Sequence, residues 1–345
     1  MKQGFRLNEE SGYFQNLGVD VMAFSDIYPE GHQSGVSIIM HGNRVATNGD
    51  IRFEQTPGQW QPVPKQISRE MDEAANTITT VLGYPDLSRH LKGLNPMIYP
   101  DFEFNYKVTV KGEGPSVIIT VDLDRPIPEK FVGKICFNLE LFPGALFGKP
   151  WIMDGKQGIF PQQPNGPVLK MPSNYLHIGN FSEPDAKADA ERLADGNKEY
   201  NPIVADDIIA EPYAVGRRFI VRPDDPYNRL VIESMGSELK LYDGRMNHNN
   251  GWFVVSSEVP AGATEKAIRW VITPNAVESW IYSPVIQISQ VGYHPKQAKT
   301  AVIELDKRDA ERRKPVLVKI TENGEEEVFS AEAQEWGRFL RYNYL

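Results

Sequence analysis

The chain has 345 residues, of which 41% are hydrophobic and 24% are charged, and its 37 basic against 46 acidic residues give a formal charge of −9. This balance argues against nucleic acid or an anionic membrane as the main partner, because both require a positive surface field. The length fits two domains, or one very large sandwich with a small companion, and the apolar fraction excludes global disorder.

The amino end, Met1–Phe5, lacks the apolar stretch of a secretory signal. No apolar run reaches the roughly 20 residues that a membrane-spanning helix needs, so we expect no membrane span. Either the protein stays in the cytoplasm or a leader was removed before this numbering begins.

Short runs with alternating or β-branched residues follow one another along the chain, separated by 28 Gly and 26 Pro. The clearest run, Phe102–Val110, puts an aromatic or Val on every second residue and predicts a strand with one buried face. A turn at Lys111–Pro115 leads into Val117–Leu123, which predicts a β-hairpin. Further predicted strands are Val36–Met40, Phe219–Arg222, Leu230–Glu233 and Ala267–Ile272.

Helical patterning is scarce, and the best candidate is the polar segment Glu183–Leu193. The fold predicted for residues 1–280 is therefore all-β, a large, supersandwich-like antiparallel β-sandwich. The one cysteine, Cys136, lies in an apolar run and is expected to be a small buried residue. The histidines lack zinc-type spacing, so we expect no metal ion and no cofactor.

Two loops combine aromatic and polar side chains in the way that sugar-binding sites do. In the first loop, Trp151 could be a stacking platform and Asp154 a hydrogen-bond acceptor. In the second loop, amides, a carboxylate and an imidazole precede an indole, at Asp243, His248, Asn249, Asn250 and Trp252. The alternative interpretation is structural, with an aromatic anchoring the first loop and Asn side chains fixing the backbone of the second. A third aromatic, Trp60, lies in a polar loop and is predicted to contact either a neighbouring domain or a sugar.

A domain boundary is predicted near Ser279–Ser283, after which new strands begin. They are expected at Pro284–Ser289, Thr300–Leu305 and Val316–Ile320, with a lead-in or strand at Gly337–Leu345. An immunoglobulin-type sandwich needs about 7 strands in about 100 residues. Only about 60 residues remain, so residues 284–345 are predicted to form a partial immunoglobulin-like β-sandwich, incomplete at its carboxyl end.

The segment Ile288–Lys296, followed by Lys299–Leu305, closely resembles the opening of one particular domain. This is the immunoglobulin-like domain that precedes the catalytic barrel of family 9 glycoside hydrolases, the cellulase family. The terminal Trp336–Leu345 resembles a later part of the same domain. Within the motif, Gln290 and Tyr293 are expected at a domain interface.

The first 280 residues are also similar to the long amino-terminal region of some bacterial members of this family. The stretches that carry this similarity are Asp26–Gln33, Phe137–Gly144 and His248–Trp252. The resemblance implies a protein that is exported to the periplasm or the cell surface.

The family resemblance implies inverting hydrolysis of β-linked glucan chains on an (α/α)₆ barrel, with an aspartate as base and a glutamate as acid. Such a pair needs its carboxyl groups roughly 6.5–9.5 Å apart to admit a water molecule. No position matches the family's Asp-Ala-Gly-Asp motif. No catalytic residue can therefore be assigned, and the catalytic domain is expected beyond Leu345.

Three functional hypotheses follow. The first is a non-catalytic accessory region that packs against or positions a downstream catalytic domain of the same polypeptide. The second is a stand-alone carbohydrate-binding module for β-glucan-type oligosaccharides. The third is a sugar epimerase or lyase on the large sandwich, which requires side chains such as Glu140, Asp243 and His248 to converge.

Overall fold

The computed structural model describes residues 4–25, 35–54, 62–89, 100–170, 208–246, 251–339 and 342–345. The chain divides into two compact units, Met1–Val277 and Glu278–Leu345, hereafter the first and second units. In the described residues, regular structure consists of strands and four short 3₁₀ turns, at Leu87–Arg89, Glu129–Phe131, Pro143–Ala145 and Gly244–Met246. The predicted helix Glu183–Leu193 lies outside the described residues.

The first unit contains strands β1 to β20, numbered in chain order. They are β1 Arg6–Asn8, β2 Tyr13–Asn16, β3 Val19–Ala23, β4 Val36–Met40, β5 Asn43–Phe53, β6 Lys65–Asp72, β7 Thr77–Tyr84, β8 Phe104–Glu113, β9 Ser116–Leu123 and β10 Ile135–Leu141. They continue as β11 Pro150–Met153, β12 Lys156–Ile159, β13 Val168–Lys170, β14 Ile208–Ala210, β15 Ala214–Gly216, β16 Arg218–Val221, β17 Leu230–Ser234, β18 Leu239–Asp243, β19 Phe253–Glu258 and β20 Ile268–Pro274.

Two nine-stranded antiparallel sheets form the first unit. The first sheet has the order β1-β2-β3-β4-β5-β10-β19-β18-β15, and the second has the order β12-β11-β16-β17-β20-β9-β8-β7-β6. The chain therefore builds the first sheet with a meander, β1 to β5, and the second with another, β6 to β9. Later strands alternate between the sheets. Strands β13 and β14 pair separately.

One apolar core lies between the two sheets, with buried side chains from both. Phe137 of β10 packs edge-on against Trp270 of β20, with their ring centroids 5.0 Å apart. The Trp270 indole also donates to the Ser257 hydroxyl of β19, at 3.0 Å. These contacts join the sheets face to face, so the predicted all-β antiparallel sandwich is confirmed.

The predicted hairpin of β8 and β9 follows directly from the alternation in its sequence. Phe104, Tyr106, Val108 and Val110 are all buried, and the residues between them face outward. Glu113 is paired with Ser116, so the turn has two residues, and Gly114 adopts a φ of 56° that favours glycine. The strand begins at Phe104, two residues later than predicted, and Phe102 packs at the margin of the core.

The second unit contains strands β21 to β26. They are β21 Val285–Gln287, β22 Val302–Asp306, β23 Val316–Thr321, β24 Gly324–Ser330, β25 Gly337–Phe339 and β26 Tyr342–Tyr344. Four of them form a sheet in the order β21-β22-β26-β25, and β23 and β24 form a hairpin. Among the large apolar residues described in this unit, Leu305 is buried, whereas Val291, Ile320 and Phe329 are exposed.

None of the helices in the described part of the chain has the length and apolar character required to cross a bilayer.

Candidate functional site

Trp151 lies on β11 and is buried in the core of the first unit. Its indole packs so closely on Gly158 of β12 that a Cβ added there would lie 2.3 Å from the ring atom Cζ2. Tyr213 and Phe219 lie close by, with ring centroids 6.4 and 6.5 Å away. A sugar contact at Trp151 would require the indole to leave the core. The geometry therefore favours the alternative interpretation, in which one aromatic anchors the loop.

Asp154 lies in the turn between β11 and β12, and its carboxylate binds backbone groups. One oxygen accepts from the Arg217 amide at 2.6 Å and the other accepts from the Arg218 amide at 3.0 Å. Both oxygens are therefore engaged in fastening this turn to the start of β16.

Asp243, at the end of β18, is buried and paired with Arg245. Nε and Nη2 of Arg245 each donate to one carboxylate oxygen at 2.8 Å. The backbone amide of Asn165 and the hydroxyl of Tyr213 donate to the same carboxylate, at 3.1 and 3.3 Å. Burial and then the nearby Asp243 charge raise the pKa of Tyr213. The Arg245 backbone amide also donates to Oδ1 at 3.2 Å, so five hydrogen bonds from its own chain engage the Asp243 carboxylate.

Arg245 connects this carboxylate to a loop and to the core. Its guanidinium donates to the carbonyls of Pro161 and Gln162 at 2.8 and 2.9 Å. The same group lies over the rings of Phe253 and Phe147, 4.4 and 5.1 Å from their centroids. Such cation–π contacts add to the ion pair where the site is desolvated. The Asp243–Arg245 pair therefore organises the end of the sandwich.

Trp252 precedes β19 and is half-buried. Its ring packs edge-on against Phe142, which follows β10, with centroids 4.6 Å apart. Trp60, His248, Asn249 and Asn250 lie outside the described residues, so their predicted roles stay predictions.

Gln290 and Tyr293 belong to the second unit. Gln290 is exposed, and the Tyr293 hydroxyl donates to the Thr300 carbonyl and accepts from the Ser289 amide, at 3.2 Å for the amide. Tyr293 therefore closes its own loop. The expected interface role of both residues stays a prediction.

The outer face of the first sheet, on the side away from the core, carries buried polar side chains that the sequence analysis did not group together. We call this the polar face, and its buried members are Ser37, Thr47, Asn138, Glu140 and Ser256. Asn138 is opposite Ser256, and Glu140 is opposite Thr47, so these residues share one side of the sheet. The hydroxyls of Ser37 and Thr47 lie 3.0 Å apart.

Glu140 is the charged centre of the polar face, and its carboxylate is fully engaged. Asn48 donates its side-chain amide to Oε2 at 2.7 Å, and Arg52 donates through Nη2 to Oε1. Both oxygens of this buried carboxylate therefore have partners within the chain, as a buried charge requires.

Glu140 and Asp243 point to opposite sides of the first sheet. Asp243 is opposite Phe253, which is opposite Leu141, and this row faces the core. Glu140 is offset from Leu141 by one residue and so faces outward. The two carboxylates therefore cannot converge on one substrate, which counts against the epimerase or lyase hypothesis.

Asp50 of β5 is buried and hydrogen-bonded to the second sheet, although its register partner on β10 is Asn138 of the polar face. The Tyr106 hydroxyl of β8 donates to its Oδ1 at 2.8 Å, and the Ile51 amide donates to the same oxygen at 2.7 Å. Burial raises the pKa of Asp50 to about 7, against the opposing effects of these donors and of Arg52. The pair is a polar bridge between the two sheets.

Within the described residues, no group of three or more His, Cys, Asp or Glu side chains is placed to hold a metal ion. Cys136 is half-buried when the whole residue is considered, whereas its thiol is buried. Burial raises the pKa of this thiol to about 12, so Cys136 is a poor nucleophile at neutral pH. In comparisons with known proteins, neither a protein-family model nor a curated protein matches this sequence.

Proposed function

We propose that this chain is the non-catalytic, all-β accessory region of a glycoside hydrolase that acts on β-linked polysaccharide. In this proposal it packs against or positions a downstream catalytic domain of the same polypeptide, in the periplasm or outside the cell. One observation carries the non-catalytic role. Glu140 and Asp243, both buried, face opposite sides of their sheet, and each is held by an arginine of its own.

The exposed hairpin of the second unit supports the proposal that another protein domain covers it. Its hairpin, β23 and β24, is exposed on both faces, including Leu317, Ile320 and Phe329. An isolated two-stranded hairpin is marginally stable in water, and exposed apolar patches mark interaction surfaces. A covering domain would bury these side chains, as the resemblance at Ile288–Lys296 implies.

The proposal predicts that the purified chain does not hydrolyse β-glucan or aryl β-glycosides. Reducing ends and released aryl alcohol should stay at the level of a blank over a long incubation. Glu140→Gln is the matched control, because it replaces the carboxylate with a group of the same shape. Robust turnover by the wild-type chain would contradict the proposal, and its loss in Glu140→Gln would assign the activity to the polar face.

A carbohydrate-binding module is the second candidate, and the position of Trp252 favours it. The half-buried indole lies two residues before Val254, which is opposite Glu140, and so adjoins the polar face. An aromatic ring beside amides and hydroxyls is suited to a sugar.

This second candidate predicts saturable binding of a soluble β-glucan that Trp252→Ala weakens at least about tenfold, as loss of one aromatic anchor does. Isothermal titration calorimetry measures it. Tyr227→Ala, which removes an exposed aromatic side chain from elsewhere in the first unit, is the control and should leave affinity unchanged. Equal affinity in the wild type and Trp252→Ala removes this site.

A further inference from the structure

One face of the four-stranded sheet in the second unit carries aromatic and acidic side chains together. Tyr342 is opposite Asp306 on one side and Phe339 on the other, and Tyr344 is opposite Glu304. Directly paired residues of an antiparallel sheet point to the same side. These five residues therefore share one face.

Ring contacts extend this face into a continuous row. Successive ring centroids lie 5.1 to 6.3 Å apart, and the planes are inclined by 60–80°. We call this set the aromatic row, and its members in order of contact are Trp280, Tyr282, Tyr342, Tyr344 and Trp336. Trp336 is 73% exposed and the neighbouring Phe339 is 65% exposed.

Hydrogen bonds fix the positions of the rings. The buried Asp306 accepts from the Tyr282 amide at 3.0 Å and from the Arg308 amide at 2.9 Å, and Arg308 donates to the Trp280 carbonyl. The Tyr344 hydroxyl donates to Glu304 at 2.9 Å. A surface held in place before a ligand arrives loses little conformational entropy on binding.

The opposite face of the same sheet carries Ile286, Ile303 and Leu305, with Asn343 and Arg338 beside Leu305. Ile286 is opposite Ile303, and Leu305 lies on the same side and is buried. A second β-layer of a sandwich would cover one face of this sheet. Phe339, on the face of Tyr342 and Tyr344, is exposed, so this side is open to a ligand.

We propose that the aromatic row is a binding surface for a single β-linked glucan chain. The choice of this class of polysaccharide rests on the proposed function. A pyranose ring presents an apolar face to an aromatic ring and hydroxyls at its rim. Trp336 and Phe339 supply exposed aromatic side chains, and Glu304 and Arg308 supply an acceptor and donors in the same sheet region. The charges of opposite sign within the site fit a neutral polymer better than an anionic one.

The test is titration of the purified chain with cellohexaose by isothermal calorimetry. We expect saturable binding that Trp336→Ala or Phe339→Ala weakens at least about tenfold, since few anchors carry most of the binding energy. Phe329→Ala is the matched control, because Phe329 is 63% exposed in the same unit but belongs to the β23–β24 hairpin. It should bind as the wild type does. Melting temperatures verify that each variant is folded.

Three results would overturn the inference. The first is a wild-type chain that shows no saturable binding. The second is binding that Trp252→Ala removes and Trp336→Ala leaves intact, which would assign it to the first unit. The third is concentration-dependent self-association in sedimentation that Trp336→Ala abolishes without any glucan binding, which would make a second copy the occupant. Hydrolysis by the chain would contradict only the proposed non-catalytic role and leave the binding result standing.

Discussion

Arg245→Ala is expected to lower the free energy of unfolding by about 3–5 kcal/mol, because it leaves the Asp243 carboxylate buried without its cation. The side chains of Arg245 and Asp243 are 10% and 1% exposed, so water cannot replace the lost partner. The substitution also removes donors to the carbonyls of Pro161 and Gln162. Urea unfolding, followed by circular dichroism, measures the change.

Two further variants separate the buried charge from a general effect of removing an arginine. Arg218→Ala breaks a pair with Glu233 whose side chains are 52% and 38% exposed, and should cost no more than about 1 kcal/mol. Removing both charges, with Asp243→Ala added to Arg245→Ala, should recover part of the loss, since no uncompensated ion remains. If Arg245→Ala costs no more than Arg218→Ala, the pair does not organise this end of the sandwich.

The strands of the sandwich could be predicted because the period-2 pattern is local. In Phe104–Val110 each buried side chain alternates with an exposed or partly exposed one, and the strand begins two residues after the predicted start at Phe102. In β10 the pattern misleads, since Asn138 and Glu140 alternate with apolar residues and yet are also buried. Burial of the outer face depends on tertiary structure, which alternation within one strand cannot show.

The side-chain partnerships could not be predicted, because their members are far apart in sequence. Asp154 accepts from backbone amides that are 63 and 64 residues away in the sequence. Asn48, whose side-chain amide donates to Glu140, is 92 residues away from it. The residues around Trp151 and Asp154 have the composition of a sugar site. The sequence does not show that Gly158 packs on the indole of Trp151, or that the backbone amides of Arg217 and Arg218 bind the carboxylate of Asp154. The face that carries the aromatic row likewise needs the register of β22, β25 and β26, which places Phe339, Tyr342 and Tyr344 on one side.

Wild-type stability is expected to fall by about 3 kcal/mol through Asp50 as pH rises from about 4 to about 7, and by about 4 kcal/mol by about pH 8. Burial raises the pKa of Asp50 from 3.8 to about 7 in the folded state, so the folded chain holds this proton more tightly than the unfolded chain. A raised carboxyl pKa therefore contributes stability that is fully present below the unfolded pKa and is lost as pH passes through the folded one. The cause is the cost of an ionised carboxylate between two sheets.

Asp50→Asn isolates this contribution, because the amide cannot ionise. The difference in unfolding free energy between wild type and Asp50→Asn, measured in urea at several pH values from 4 to 8, should change by about 4 kcal/mol in favour of the variant as pH rises. Tyr106→Phe provides the opposing check. The Tyr106 hydroxyl donates to Asp50 and lowers its pKa, so removing that donor should move the wild-type transition to higher pH. The prediction fails if the difference in unfolding free energy between wild type and Asp50→Asn stays constant from pH 4 to 8 and the Tyr106→Phe profile is unshifted. Asp50 would then already be ionised in the folded chain, and the bridge between the sheets would carry a charge.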